Sequence, residues 1–169
     1  EPYTRVGYAE QCFILAEAIL RGWINGNATE YYNAGIKASM TFTGENTPDD
    51  EMYHHGKKIT EDYIGTYLNS EPVMLKGDTE HKIKQIIIQK YLTYYMQYPF
   101  DAYYEYRRTG YPVLPINPLT NRNAEKDKIP VRWMYPTKEF DYNKENVDNA
   151  VASQYDGIDN NNKIMWILK

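Results

Sequence analysis

The chain has 169 residues and a formal net charge of -4, a size that suits one compact domain or the ordered part of a larger one. Its acidic balance (pI ≈ 5.4) gives no reason to expect a nucleic-acid partner. The longest apolar runs, FILAEAIL and IKQIII, fall well short of the roughly 20 residues that cross a bilayer.

Tyrosine dominates the composition. Eighteen tyrosines within 15% aromatic content separate the chain from disordered sequences. They also explain how a mean hydropathy of -0.73 is compatible with a real core, since each phenol adds a large, mostly apolar ring. Cys12 stands alone, which leaves no internal disulfide and no thiolate metal site. The opening Glu1-Pro2 has no basic or apolar leader and points to a fragment of a longer protein.

The first half reads as helices. Val6, Ala9, Phe13, Ala16 and Leu20 recur at three- and four-residue steps and predict a helix from Val6 to Leu20, with Gly22 as its stop. Cys12, Leu15 and Ile19 widen the stripe, so burial on more than one side is expected. A turn at NGN, residues 25–27, precedes a second helix to about Phe42. Asn27 and Glu30 stand at capping-box spacing. TPDD at 47–50 predicts the start of a third helix, with Thr47 as N-cap and acids in the first turn. It runs to about Leu68 and is closed by NSEP. A fourth begins near Asp78 and Thr79 and continues to about Tyr98, where Pro99 turns the chain into a short helix through Tyr103 to Arg107.

Beyond Gly110 the character changes. Prolines at 112, 115, 118, 130 and 136 rule out regular helix and argue against a central strand. The apolar residues between them, Val113 to Tyr135, predict an ordered irregular segment packed on the same domain. An amphipathic stretch follows from Asn143 to Gln154, then DGIDNNNK and the tail IMWIL. The predicted organisation is therefore a helical region over 1–110 and a proline-rich segment with one further helix over 111–169. The fold class is mainly α, its first two helices forming a hairpin of tetratricopeptide length.

Catalytic and cofactor patterns are absent. His54 and His55 splay on a helix and His81 is alone, so no HExxH-like metal spacing exists. GxSxG, P-loop and GxGxxG motifs are missing as well, and neither a metal nor a cofactor is expected. Asp101, Glu105 and Glu139 lie beside helix ends or arginines, contexts that favour ion pairing over the paired carboxylates of glycoside hydrolysis. DGIDNNN, 156–162, is rich in oxygen ligands and either holds calcium or forms a surface turn; it does not match an EF-hand.

Two constellations remain. Arg107 and Arg108 close the helix before Gly110 and offset its dipole, which predicts a structural network with Asp101 and Glu139 that Arg132 joins. Exposed rings can stack on the C–H faces of sugars. Rings at helix spacing, such as Tyr63, Tyr67, Tyr91 and Tyr94, read as core, so Tyr111, Trp133 and Tyr135 in the irregular segment are the candidate ligand-binding residues.

Several stretches together resemble the SusD/RagB family of outer-membrane, nutrient-binding lipoproteins. They are YAEQCFILAEAILRG at 8–22, ATEYYNAGIKASM at 28–40, KQIIIQKYLTYYMQ at 84–97, AYYEYRRTGYPVL at 102–114 and IPVRWMYPTKEFDYNKEN at 129–146. They follow in family order and correspond to the C-terminal part of a longer protein. The resemblance implies tetratricopeptide-like hairpins with long ordered loops, a surface-exposed and lipid-anchored location, non-enzymatic binding of an oligosaccharide or other nutrient, and a SusC-like TonB-dependent transporter as partner. Trp166 is single where the family pattern has paired tryptophans. Two other readings are a helical-repeat module that binds protein alone and a fragment of a glycoside hydrolase.

Overall fold

The computed structural model describes residues 7–168, apart from the Pro99 side chain. Val6, expected at the start of the first helix, lies outside the described residues, as do 1–5 and 169. Eight α-helices and a short 3-10 turn account for the regular structure, and no strand occurs among the described residues. Contacts divide the chain into a first unit, Glu1–Tyr106, and a second, Arg107–Lys169.

In the first unit, α1 (Tyr8–Leu20) buries Ala9, Cys12, Phe13 and Ala16, the stripe that its sequence spacing predicts. It ends in a Schellman arrangement: Gly22 takes φ +73, and the N–H groups of Gly22 and Trp23 bond the carbonyls of Ile19 and Ala18 at 3.0 Å. Glycine suits that left-handed position. The next helix, α2 (Ala28–Asn46), is capped by the Asn27 side chain, which accepts from the N–H groups of Thr29 and Glu30. The two helices meet at Gly35. A Cβ there would sit 2.8 Å from the Phe13 ring and 3.1 Å from the Ala9 carbonyl, so the missing side chain sets how closely the backbones approach.

The predicted third helix is two helices. The short α3 (Glu51–His54) starts from Asp50, whose side chain accepts from Met52 N–H, and Thr47 instead terminates α2. His55 (φ +48) and Gly56 (φ +69) then turn left-handed, which no helix can carry. A fresh cap at Thr60 opens α4 (Glu61–Leu68). The stretch between them passes under α2, where Gly44 leaves room for the Ile59 backbone.

The central helix is α5 (Thr79–Tyr94), capped by Asp78. It buries Ile83, Ile86 and Ile87 against the α1–α2 hairpin, whose core residues Phe13, Tyr32 and Ile36 are also fully enclosed. Polar groups complete this core. Tyr32 donates to the Val73 carbonyl at 2.8 Å. Gln85 donates to the Met74 carbonyl at 2.9 Å and accepts from Lys76 N–H at 3.1 Å, so the 70–76 loop is stapled through satisfied backbone groups. The helix stops at Tyr94, four residues short of its predicted end. Met96 turns left-handed (φ +62), Pro99 disfavours helical backbone at Tyr98, and α6 (Pro99–Thr109) begins there. Its last turn holds Arg107 and Arg108, followed by Gly110 at φ +76.

The second unit has little apolar core: among the described residues only Val147, Val151 and Tyr155, all on α8 (Lys144–Tyr155), are buried hydrophobics there. It is organised instead around Arg132, which is 4% exposed. The guanidinium bonds Asp159 Oδ1 at 2.5 Å and the Asn160 carbonyl at 2.8 Å, and lies 4.0 Å from the Tyr155 ring centroid. Asparagines extend the clamp. Asn162 accepts from Glu125 N–H and donates to the Ile129 carbonyl, Asn161 donates to Asn123, and the Asn161 carbonyl accepts from Val131 N–H. A six-residue helix, α7 (Thr137–Tyr142), interrupts the segment expected to be irregular.

Three outcomes are expected. Gly35→Ala forces a methyl into the Phe13 ring, so the urea midpoint falls by the equivalent of about 1–3 kcal/mol. Asp159→Ala leaves a buried guanidinium without its anion and costs about 3–5 kcal/mol, read in the same denaturation experiment. Burial, above all, raises the phenols of Tyr32 and Tyr94 above their ordinary value, and for Tyr94 the Glu10 carboxylate adds to it. Their protonated forms therefore stabilise the fold fully below about pH 10, and that contribution is lost as pH rises further. The melting temperature is expected to drop above about pH 10, less steeply in Tyr94→Phe; equal slopes would show that the buried phenol carries no such linkage.

Candidate functional site

The first unit carries a concave, ring-lined groove of about 380 Å³. Three elements build it: the start of α1 (Gly7 to Glu10), the middle of α2 (Ala38 to Thr43) and the end of α5 with its following turn (Leu92 to Tyr98). Its walls include Tyr8, Phe42, Tyr94 and Tyr95. Tyr8 and Tyr95 are 66% and 64% exposed, whereas Tyr94 is buried in the floor. The left-handed Met96, in a region that a non-glycine residue seldom adopts, lies within the turn that brings both Tyr95 and Gln97 to the groove.

Polar atoms are few and placed. Tyr94 donates its hydroxyl to Glu10 Oε1 at 2.9 Å, joining α5 to α1 across the groove's floor. That is the only side-chain hydrogen bond of Glu10 among the described residues. The Thr93 hydroxyl donates to the Gln89 carbonyl at 3.0 Å and lies 3.1 Å from the Ser39 hydroxyl, which can donate to it. The Lys90 ammonium, almost wholly buried, bonds Glu105 Oε1 at 2.5 Å and stands 5.8 Å from the centre of the Tyr94 ring. Its charge is thereby matched within the protein. A mostly apolar cleft with a small number of fixed polar groups has the make-up of a small-molecule site.

The candidates expected from sequence lie in the second unit, except Asp101, which stands exposed in the first turn of α6. Trp133 is 69% exposed, and Tyr111 and Tyr135 are partly buried. Tyr135 is tied to the Arg132 clamp: its ring lies 5.6 Å from the guanidinium and its N–H bonds Asp159 Oδ2 at 3.0 Å. Arg132 thus takes Asp159 as its ion-pair partner. Glu139 is exposed in the first turn of α7, and Arg107 reaches Met165 Sδ at 3.4 Å. Three side chains of the 156–162 loop accept from protein groups: Asp159 from Arg132, Asn160 from the N–H groups of Asn162 and Lys163, and Asn162 from Glu125 N–H. Among the described residues no three His, Cys, Asp or Glu side chains are grouped to hold a metal.

Sequence reasoning missed the groove. Tyr8, Phe42 and Tyr95 come from α1, α2 and the turn after α5, and Glu10 meets Tyr94 across 84 positions, a separation that no local spacing encodes. The one usable signal was Tyr95 itself, which falls just beyond the helical stripe of α5.

The family model described as "SusD-like_2: Starch-binding associating with outer membrane" matches residues 1–136. A SusD homologue from Bacteroides fragilis NCTC 9343 is 55% identical, with a TM-score of 0.91, over 100% of this chain and 36% of its own. A second homologue from the same strain is 40% identical, with a TM-score of 0.80, over the same shares of each chain. A chitin-binding SusD homologue from Flavobacterium johnsoniae is 28% identical, with a TM-score of 0.64, over 95% of this chain and 36% of its own. The chain therefore spans about a third of the length of these solved relatives. No curated protein sequence gives a significant match. With a family match over most of its residues and a 55% identical relative aligned along all of them, the chain belongs to the SusD-like family.

Proposed function

We propose that the chain is part of a non-enzymatic protein that binds oligosaccharide at the outer-membrane surface and delivers it to a SusC-like TonB-dependent transporter, held there by a lipid anchor outside these residues. The observation that carries the binding reading is the groove: exposed rings of Tyr8 and Tyr95 at its mouth, the buried Tyr94 in its floor, and a few oriented polar groups between them. Ring faces and sparse hydrogen-bonding groups are what a pyranose presents in complement, apolar C–H surface with hydroxyls at its edge. The family's description as starch-binding and the chitin-binding relative support a glycan as the ligand class. The second unit adds Trp133, with Tyr111 and Tyr135, as a further aromatic contact for the same class.

The competing reading, a helical module that binds only protein, draws on the exposed apolar tail of the second unit, where Ile164, Trp166 and Ile167 are more than half exposed. Isothermal titration of the 169-residue chain with starch- and chitin-derived oligosaccharides separates the two. Heat is expected with at least one sugar, and Tyr95→Ala and Trp133→Ala are each expected to weaken binding about 2- to 12-fold, the equivalent of a ring contact worth about 0.5–1.5 kcal/mol. Absence of heat with every sugar would favour the protein-binding module, and release of reducing ends during the titration would point to a hydrolase.

A further inference from the structure

We propose that the groove of the first unit prefers a sugar bearing a free ammonium group, held by the Glu10 carboxylate with the rings of Tyr8, Tyr94 and Tyr95 around it. This rests on the glycan reading above and names the substrate class of that same groove.

The argument begins with charge. Glu10 is the only Asp, Glu, Lys, Arg or His among the described lining residues, and the other lining groups are aromatic, aliphatic, hydroxyl or amide. Two lysines near these helices are already matched: Lys90 to Glu105, and Lys37, on α2, to Glu61 at 2.8 Å. Among the described residues Glu10 itself receives one side-chain hydrogen bond, from a neutral phenol. A carboxylate that receives a single neutral donor keeps its remaining acceptor sites for a ligand.

The rings point the same way. The negative faces of aromatic rings attract a cation held within about 6 Å, so a box of phenols beside one carboxylate discriminates an ammonium from a neutral hydroxyl or acetamide. Within the protein the Lys90 ammonium already stands 5.8 Å from the opposite partner of the Glu10 bond, the Tyr94 ring. At about 380 Å³ the groove lies in the range of small-molecule clefts, roughly 300–1,000 Å³. It has room for pyranose rings, and its Gln97 amide, which makes no side-chain hydrogen bond among the described residues, lines the same wall.

The test compares chitin oligosaccharides of equal length, N-acetylated and fully de-N-acetylated, by isothermal titration at about pH 6, with trilysine as a non-sugar cation. The de-N-acetylated sugar is expected to bind about ten-fold or more tightly than its acetylated counterpart, as a charge-assisted contact gives. Glu10→Gln, which keeps an acceptor for Tyr94, is expected to bring that ratio to about one. Glu30→Gln, at an exposed carboxylate outside the groove, is expected to preserve it. Tyr95→Ala removes an exposed ring without touching the core and is expected to weaken the amino sugar several-fold. It keeps the proposal testable should Glu10→Gln fail to fold.

A ratio that survives Glu10→Gln would overturn the proposal by tracing the preference to the chain's net negative charge. Unchanged affinity in Tyr95→Ala would place the ligand elsewhere and overturn it too. Equal binding of both sugars would sink the ammonium preference and leave the glycan reading intact, whereas no heat with any sugar would sink both. Binding of trilysine in place of the amino sugar, with the same dependence on Glu10, would assign the groove to a lysine side chain.

Discussion

The close approach of α1 and α2 at Gly35 is the constraint from which the first unit follows. With no side chain on α2, the Phe13 ring lies against its backbone, and α5 can then close the hairpin with three isoleucines. The same geometry leaves the N-terminal end of α1 and the C-terminal end of α5 apart by the width of a cavity, bridged at its floor by the Tyr94–Glu10 bond. The groove is thus a product of how the core packs. A larger residue at position 35 would move the helix that carries Phe42, and with it one wall of the site.

Two different kinds of order meet in one chain. The first unit relies on buried apolar surface. The second relies on a guanidinium between tyrosine rings, one carboxylate and a set of asparagine amides, each with named partners. Such a network is stabilising only when complete, since an unmatched buried charge costs more than the pair contributes. Leu119, Trp133 and Tyr142, by contrast, leave much of the second unit's apolar surface in water.

What could be read from sequence divides along the same line. The α1 stripe, the Gly22 stop, the Asn27 cap, the helix start near Asp78 and Thr79 and the change of character after Gly110 are local signals and match the structure. The break at His55 and Gly56 escaped because two residues of left-handed backbone override a good helical pattern, and because Thr60, an ordinary position within one long helix, is a cap in fact. The α7 helix escaped for lack of a side-chain cap. For the arginines, composition suggested networks but could not choose partners: Arg132 bonds Asp159, a residue in the loop that was weighed as a calcium site. The groove was illegible because its walls come together only when three helices pack.

The asparagine clamp of the second unit also shapes its thermodynamics. Heat capacity on unfolding rises with apolar surface exposed and falls with polar surface exposed. A unit that encloses few apolar side chains, Val147, Val151 and Tyr155, beside the Arg132 guanidinium and the Asn162 amide is therefore expected to show a small heat-capacity change for its size. Its stability varies gently with temperature, with a broad and shallow maximum, while the isoleucine-packed first unit follows a sharper dome. Cooling, which weakens apolar association, bears mainly on the half that holds the groove.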